Sequence, residues 1–142
     1  MKKAKLFIFI LTVLICSTSD LKSQVFSPDP FLEAYSNSLL YGDYLDHANL
    51  YWEKTFFINK WYDKQGIRRV AKNFYDNNET LEHRFTRLSH GYNREGDLEV
   101  IVMEYHKVRN RKTGQISSTT VKKKFVLYYW KNYYVYQQII LK

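Results

Sequence analysis

The second half of the chain repeats an alternation of apolar and polar residues that is typical of β-strands. Runs rich in Val, Ile, Thr, Tyr and Phe extend from about residue 81 to residue 141, and these residue types suit a pleated, half-buried surface. Three short polar segments interrupt the runs, at residues 93–96, 113–114 and 131–132. Each contains a Gly or an Asn that suits a turn. The pattern therefore predicts four strands joined by tight turns, which is one antiparallel meander.

The turn positions also predict which residues lie opposite one another in the sheet. We take residues 93–96 as a four-residue loop and the other two segments as two-residue turns. The predicted pairs are Tyr92 with Asp97, His83 with His106, Arg87 with Val102, Val102 with Phe125, Val100 with Leu127, Glu104 with Lys123, Leu127 with Tyr136, and Phe125 with Gln138. The pair of Glu104 and Lys123 would join opposite charges, which supports this register.

The first half of the chain shows helical spacing instead. Asp29 followed by Pro30 predicts the start of a first helix, and Gly42 predicts its end. Asp43 can cap a second helix, whose apolar stripe continues as far as Trp52. A short apolar run then predicts a small strand at residues 55–58.

A third helix has the strongest periodicity in the chain. Ile67, Val70, Ala71 and Phe74 occupy positions i, i+3, i+4 and i+7, which places them on one face of a helix. The predicted fold class is therefore α+β, with three N-terminal helices packed on a curved four-stranded antiparallel meander plus a short extra strand. Such a cone-like, cystatin-like roll leaves space for a pocket between the curved sheet and the helices.

Neither face of the predicted sheet is cleanly polar. Val100 and Phe125 lie on one face, whereas Ile101 and Tyr128 lie on the other. A lone antiparallel sheet normally turns one polar face to water. Helices on one face and a partner subunit on the other would cover both, which predicts a possible homodimer through the outer sheet face; scattered surface aromatics are the alternative.

The first 23 residues have the pattern of a secretory signal peptide. Three lysines within the first five residues precede an apolar run over residues 6–16, and small residues follow, with cleavage possible after Ser19 or after Ser23. That run is too short to span a bilayer, which needs roughly 20 residues. We therefore expect an exported protein, periplasmic or extracellular, whose mature chain is one domain over residues 24–142 without a transmembrane span.

The single cysteine raises the alternative of a lipid anchor. A bacterial lipoprotein keeps a lipidated Cys as its first mature residue, but the site usually needs a small residue before it, and Ile15 precedes Cys16 here. Lipidation at Cys16 is therefore the less favoured interpretation. If cleavage falls beyond Cys16, an internal disulfide and a thiol nucleophile are both excluded from the mature chain.

Composition limits the partners that the protein can take. The 142 residues carry 22 Lys and Arg against 14 Asp and Glu, a formal net charge of +8. A basic balance favours acidic partners, but we do not expect nucleic acid as a partner of an exported protein. No cofactor-binding glycine loop and no nucleophile or metalloprotease motif occurs in the sequence, so no cofactor, metal or catalytic residue is assigned.

Three segments resemble a known superfamily when they are taken in order. Residues 31–35 (Phe-Leu-Glu-Ala-Tyr), residues 41–44 (Tyr-Gly-Asp-Tyr), and residues 66–70 with Phe74 precede the long-stranded meander. This order is similar to the first helix, the Gly-Asp junction and the third helix of the nuclear-transport-factor-2-like superfamily, which includes SnoaL-like and ketosteroid-isomerase-like proteins. The chain resembles an exported bacterial member.

The resemblance implies a conical cavity between the sheet and the first helix, and often a dimer packed sheet to sheet. Isomerases of this superfamily use a carboxylate base near the short first strand, but here that strand ends at Asn59. Asp63 lies nearby and can simply cap the third helix. No catalytic residue of the superfamily is therefore carried over, and the fold alone does not give a function.

One polar cluster has chemical potential in the predicted register. His83, Arg87, Glu104 and His106 would share one face of adjacent strands. A histidine beside a carboxylate can transfer protons near neutral pH, and an arginine can hold an anionic group. The alternative is a solvated polar rim in which Glu104 merely pairs with Lys123. A zinc site would need a third ligand that the pattern does not supply.

We therefore expect a protein that binds a small apolar or amphipathic molecule, or another protein, without catalysis. The predicted ligand-binding residues are Tyr35, Phe85, Arg87, Val102, Glu104, His106, Phe125 and Tyr136. One alternative is an isomerase or dehydratase in which His106 or Glu104 transfers the proton. Perturbed pKa values of these two groups within a closed cavity would favour that enzyme. Another alternative is an envelope or adhesion module that uses the outer sheet face.

Overall fold

The computed structural model describes residues 27–142, so the predicted signal peptide and Cys16 lie outside the described residues. The helices are α1 (Asp29–Tyr41), α2 (Tyr44–Asn49) and α3 (Lys64–Asn77). The strands are β1 (Tyr51–Phe57), β2 (Lys60–Asp63), β3 (Asn78–Tyr92), β4 (Leu98–Asn110), β5 (Ile116–Trp130) and β6 (Asn132–Leu141). Among residues 27–142, no helix is both long and apolar enough to cross a membrane.

All the described strands belong to one six-stranded sheet in the order β2-β1-β6-β5-β4-β3. Strand β1 pairs with β6 in parallel, and the other neighbours are antiparallel. The α+β class, the helices on a sheet and the four-stranded meander are confirmed. The predicted single short strand is instead a hairpin of two strands, β1 and β2.

The second helix is shorter than predicted. It ends at Asn49, and Tyr51 and Trp52 already lie in β1. Tyr51 is only 1% exposed, because strand pairing places it against the core. The backbone amide of Val135 donates to the carbonyl of Leu50 at 2.8 Å, so pairing with β6 draws this segment into the sheet.

The helix ends largely follow the predicted capping residues. Pro28, rather than Asp29, holds the N-cap position of α1, and Gly42 closes that helix. Asp43 caps α2, since its Oδ1 accepts from the amides of Leu45 and Asp46 at 2.7 and 3.0 Å. These local bonds satisfy amides that a helix start leaves without partners.

The predicted register of β3 with β4 is confirmed where the two histidines lie. His83 pairs with His106 and Arg87 pairs with Val102. A β-bulge after Arg87 then shifts the pairing, so that Tyr92 lies opposite Leu98 instead of Asp97.

The predicted register of β4 with β5 is wrong by two residues. Val102 pairs with Lys123, not Phe125, and Glu104 pairs with Val121. The side chain of Asn110 accepts from the amides of residues 112 and 113 at 2.9 and 3.0 Å, which lengthens the loop before β5. A slip of two residues keeps every side chain on its predicted face, so Glu104 still contacts Lys123 diagonally.

The register of β5 with β6 is correct at Phe125 and Gln138 but changes beyond them. A bulge places Leu127 opposite Val135, not Tyr136, and the turn narrows to Lys131, whose φ is 58°. A shift of one residue reverses the face that each side chain occupies. Val135 therefore fills the core at 0% exposure.

The core lies between α1 and the inner face of the sheet. Its centre is an aromatic cluster in which the rings of Phe31 and Tyr35 lie 5.6 and 5.5 Å from the ring of Phe125. Fully buried aliphatic side chains of β4, β5 and β6 surround this cluster; they are Leu98, Val100, Val102, Leu127 and Val135. This packing holds α1 across the sheet, and the remaining space lies toward α3.

Candidate functional site

A cavity of about 200 Å³ lies between α3, the C-terminal half of α1 and the inner face of the sheet. Its walls are mainly apolar, and its floor is polar. The apolar lining is Leu39, Phe57, Ile58, Ile67, Val70, Ala71, Phe74 and Ile140. The polar lining is Tyr35, His47, Tyr51, Glu104, His106, Lys123 and Gln138. We call this space the inner cavity.

Helix α3 supplies one apolar wall of the inner cavity. Ile67, Val70, Ala71 and Phe74, the residues of the predicted helical stripe, all line it. Asp63 fixes the start of this helix, because its Oδ1 accepts from the amide of Gly66 at 2.6 Å. The amphipathic pattern therefore positions a wall of the cavity as well as part of the core.

Glu104 is the ionic centre of the floor. Its side chain is 4% exposed. His83 Nε2 lies 2.9 Å from Oε1, and Lys123 Nζ lies 2.5 Å from Oε2. Burial alone would raise the pKa of this carboxyl, but the bonds from His83 and Lys123 outweigh burial and lower it to about 2. Glu104 is therefore a carboxylate whose two oxygens both have cationic or hydrogen-bonding partners.

His47 also lies on the floor of the inner cavity. Its Nδ1 lies 2.8 Å from Ser38 Oγ, and its Nε2 lies 3.4 Å from the hydroxyl of Tyr51. Ser38 Oγ itself donates to the carbonyl of Tyr35 at 2.7 Å, so it accepts the hydrogen of His47 Nδ1. Burial, with the nearby charge of Lys123, lowers the pKa of His47 to about 3, and this ring is neutral at physiological pH.

His106 lies where the floor meets the wall of α3. Its Nε2 lies 3.0 Å from Thr80 Oγ1, and its ring centroid lies 5.6 Å from that of Phe74. The ring of His83 is 5.2 Å away on the same sheet face, as the register predicted. Burial, and then the neighbouring His83, lower the pKa of His106 to about 4.

Two tyrosines and an amide complete the floor. The Tyr51 hydroxyl donates to Gln138 Oε1 at 2.8 Å, and the Tyr35 hydroxyl lies 3.3 Å from that of Tyr51. Burial raises the pKa of both phenols, which keeps them protonated. At neutral pH the floor thus offers hydroxyl, imidazole and amide groups around one compensated ion pair.

The structure brings only part of the predicted ligand-binding set to this cavity. Tyr35, Glu104 and His106 line it. Val102 and Phe125 are instead core residues at 0% exposure, because α1 packs on this part of the inner sheet face, with the rings of Phe31 and Tyr35 against Phe125.

The other three predicted residues lie elsewhere. Phe85 and Arg87 line a separate groove beside the N-terminal half of α1, where Arg87 Nη1 lies 2.6 Å from Asp29 Oδ1. Tyr136 packs its ring 5.4 Å from that of Trp61 on β2. The bulge in β6 moves Tyr136 out of the predicted lining and places Val135 in the core.

The predicted ligand-binding set lacks four polar residues that line the inner cavity: His47, Tyr51, Lys123 and Gln138. Lys123 and Gln138 were placed on the correct sheet face, but nothing in the pattern indicated where the filled core stops. His47 and Tyr51 both fall within the predicted second helix, from Asp43 to Trp52, and the pattern gives neither residue a place in a site. Their convergence depends on the β1–β6 pairing, for which the local sequence gives no signal.

The described residues contain no group of three or more His, Cys, Asp or Glu side chains placed to hold a metal ion. Glu104 approaches His83 through one oxygen, while Lys123 occupies the other.

No protein-family model matches the chain, and a search of curated proteins finds no match. Solved structures do match. A ketosteroid isomerase-like protein from Erwinia carotovora atroseptica is 11% identical, with a TM-score of 0.64 over 76% of this chain and 87% of that chain. The protein Aln2 from a Streptomyces species is 13% identical, with a TM-score of 0.65 over 84% of this chain and 94% of that chain.

A protein described as a SnoaL-like polyketide cyclase from Mesorhizobium loti is 14% identical, with a TM-score of 0.51 over 82% of this chain and 100% of that chain. At such identities the likeness concerns the fold. The chain has the nuclear-transport-factor-2-like cone fold, as the sequence resemblance implied. Proteins with this fold carry different activities, so the function must be argued from the cavity.

Proposed function

We propose that this protein binds one small molecule with an apolar body and a single polar group in the inner cavity, without transforming it. The observation that carries the proposal is the division of the lining into apolar walls and a hydrogen-bonding floor. Binding sites for small molecules are typically apolar clefts with a few placed polar groups. A dry cavity of about 150 Å³ holds benzene, so about 200 Å³ suits one ring with a short substituent.

The floor favours an uncharged polar group on the ligand. Glu104 and Lys123 compensate each other's charge at 2.5 Å, and the depressed pKa values of His47 and His106 keep both rings neutral. A ligand hydroxyl can donate a hydrogen bond to His47 Nε2, because His47 gives its own hydrogen to Ser38 and Tyr51 gives its hydrogen to Gln138. A ligand carboxylate would compete with Glu104 for Lys123 and leave one buried anion without its partner, which is costly.

The alternative of a proton-transfer enzyme is less well supported. Glu104 and His106 line the cavity and their pKa values are perturbed, which was the sign expected of an enzyme. The direction of the shifts argues against it, however, because the pKa values are about 2 and about 4. An efficient general acid or base has a pKa near the working pH, and both oxygens of Glu104 already have partners.

Calorimetric titration with three probes of similar shape tests the binding proposal. We expect 4-methylphenol to bind at one site, and toluene to bind about fivefold more weakly because one hydrogen bond is lost. 4-Methylbenzoate should bind more weakly than 4-methylphenol. Failure of all three probes to bind, or a preference for the carboxylate, would contradict the proposal. Native mass spectrometry of protein from its own host would then identify the retained ligand.

We also propose that the protein is exported and acts as the mature domain of residues 24–142. The basic head and apolar run at the N-terminus support this. Intact-mass analysis of the protein from its host should find a chain beginning at residue 20 or residue 24 and no lipid. A full-length chain, or a lipidated chain that begins at Cys16, would contradict this proposal.

The outer sheet face supports the further proposal of a homodimer. The ring centroid of Trp52 lies 4.6 and 5.4 Å from those of Tyr128 and Tyr134, so these three rings form an aromatic cluster on this face. Trp61, whose ring packs against that of Phe56, is 45% exposed. Light scattering after size exclusion should give twice the chain mass. Replacing Tyr128 by Lys should give the monomer mass, and a monomeric wild-type protein would refute the dimer.

A further inference from the structure

A second polar site lies on the other side of α1 from the inner cavity. Ser36 and Leu32 of α1, with His83, Phe85 and Arg87 of β3, line an open groove that encloses about 510 Å³. Ser36 is half-buried in this groove, whereas the side chain of His83 is fully buried behind it. We call it the Ser36 groove, and the binding function proposed above does not use it.

A continuous line of hydrogen bonds joins this groove to the floor of the inner cavity. Ser36 Oγ lies 2.9 Å from His83 Nδ1, and His83 Nε2 lies 2.9 Å from Glu104 Oε1. Lys123 Nζ holds the other carboxylate oxygen at 2.5 Å. A carboxylate can only accept hydrogen bonds, so His83 donates through Nε2 to Glu104. With that single hydrogen on the ring, Nδ1 carries a lone pair that can accept the hydroxyl hydrogen of Ser36.

Ser38 provides an internal comparison, two residues further along α1. Its Oγ also lies near a buried histidine nitrogen, His47 Nδ1, at 2.8 Å. Ser38 donates its hydrogen to the carbonyl of Tyr35, so it accepts from the imidazole rather than donating to it. The two serines therefore have opposite roles, and only Ser36 directs its hydrogen toward a ring that a carboxylate has oriented.

From this arrangement we propose that Ser36 is a nucleophile that takes an acyl group from small, uncharged esters, with His83 as the general base and Glu104 as a positioning residue. A hydroxyl, an imidazole and a carboxylate in this order are the parts that serine acyl transfer requires. Here the serine meets Nδ1 and the carboxylate meets Nε2. Leu32 and Phe85 provide apolar contacts for a short acyl chain.

Ser36, His83, the ester and water supply every atom and proton that acyl transfer needs. Ser36 Oγ bonds to the ester carbonyl carbon while its proton passes to His83 Nδ1. The tetrahedral intermediate then expels the alcohol oxygen, which takes the proton back from Nδ1. Water next attacks the acyl-serine and gives its proton to Nδ1, and release of the acid returns the proton to Ser36 Oγ. Arg84 and Arg87 line the same groove and are the cations that could approach the developing oxyanion, although Arg87 is also paired with Asp29.

Covalent labelling tests the nucleophile directly in the folded wild-type protein. An alkyl fluorophosphonate forms an oxygen–phosphorus bond to an activated serine and releases fluoride. We expect peptide mapping to find the label on Ser36, while Ser38 and Ser89 stay unlabelled in the same sample. Absence of label on Ser36, or equal labelling of the three serines, would overturn the proposal.

Hydrolysis of 4-nitrophenyl acetate provides the second readout. We expect S36A to lower the protein-dependent rate by about 100-fold, and H83Q to do the same, since a general base contributes at least that factor. S89A, an exposed change on the same strand as His83, should leave the rate unaltered. Equal rates for wild type and S36A would also overturn the proposal. S36A should retain 4-methylphenol binding, so failure of acyl transfer leaves the binding proposal intact.

Discussion

The inner face of the sheet has two ends with different chemistry. Near the β3–β4 loop, Leu98, Val100 and Val102 of β4 pack with Phe125 of β5 in the core, each at no more than 1% exposure. Farther along the same strand the inward positions are Glu104 and then His106, and space remains between them and α3. We call these the filled end and the hollow end.

The contrast shows how one sheet can combine a stable core with an open site. Close apolar packing at the filled end fixes α1 across the strands, and burial of these side chains stabilises the fold. At the hollow end, the polar side chains bond to one another, as Glu104 does with His83 and Lys123. These bonds give the buried carboxylate of Glu104 its partners, so it stays ionised beside open space.

The largest expected effect on stability comes from replacing a phenylalanine by alanine, and we compare this change at the filled end and at the hollow end. Phe125→Ala should lower the free energy of unfolding by about 3–5 kcal/mol, as expected for a fully buried phenylalanine. Phe74→Ala should cost less than half as much, because Phe74 already borders open space. Urea denaturation measures both. Equal losses would remove the distinction between a filled and a hollow end.

Breaking the ion pair of the floor should be nearly as damaging. Lys123→Met leaves Glu104 buried without its cation, and we expect a loss of about 3 kcal/mol in the free energy of unfolding. The double variant Glu104→Leu with Lys123→Met removes both charges and should recover most of that loss. A double variant as unstable as the sum of two single variants would show that the pair does not act as a unit.

The hollow end should also make stability depend on pH. The pKa values of His47 and His106 fall from 6.5 in the unfolded chain to about 3 and about 4 in the fold. Below pH 6.5 the unfolded chain therefore binds protons that the folded chain does not, and stability falls as the pH falls. Between about pH 7 and about pH 5.5 we expect a loss of about 2 kcal/mol after allowing for the partial exposure of His106.

Denaturation at both pH values measures this loss, with variants as controls. His106→Gln should reduce the pH dependence, whereas His90→Gln, an exposed change on β3, should not alter it. Glu104 does not contribute to the pH dependence between about pH 7 and about pH 5.5. Its pKa is lowered to about 2 in the fold, so the stability that its ionised form provides is lost only in stronger acid. A stability that stays constant over this window would contradict the burial of the two imidazoles.

The smallest expected effect on stability is that of a surface ion pair that belongs to neither the filled end nor the hollow end. Arg87 and Asp29 form a surface ion pair at 2.6 Å, with side chains 35% and 63% exposed. Arg87→Ala should therefore change the free energy of unfolding by less than about 1 kcal/mol. The thermal midpoints of the wild type and of Arg87→Ala, compared in low and in high salt, measure this change, because salt screens a surface ion pair. A loss as large as that of Phe125→Ala would mean that this groove, and not the filled end, anchors α1.

Local patterns in the sequence predicted much of this architecture. The stripe of Ile67, Val70, Ala71 and Phe74 predicted α3 and supplied a cavity wall. The opposition of His83 and His106 was predicted from a four-residue loop, and it holds because the bulge after Arg87 offsets a one-residue error at that loop. The helix depends on residues within one element, where periodicity is decisive.

The errors arose where distant segments or single residues decide the outcome. Tyr51 and Trp52 suit a helix or a strand, and only pairing with β6 selects the strand. The side-chain bonds of Asn110 lengthen one loop, and a bulge at Tyr136 reverses a face. The site was therefore predicted only in part, since the lining depends on where the filled end stops.

A titration of two matched variants with 4-methylphenol tests most directly whether the ligand occupies the inner cavity. Ala71 lines the inner cavity, whereas Ala34 is exposed on α1. We expect Ala71→Leu to occupy the space and lower the affinity at least tenfold while the variant stays folded, and Ala34→Leu to bind as the wild type does. Equal binding by both variants would place the ligand outside the inner cavity and contradict the proposed binding site.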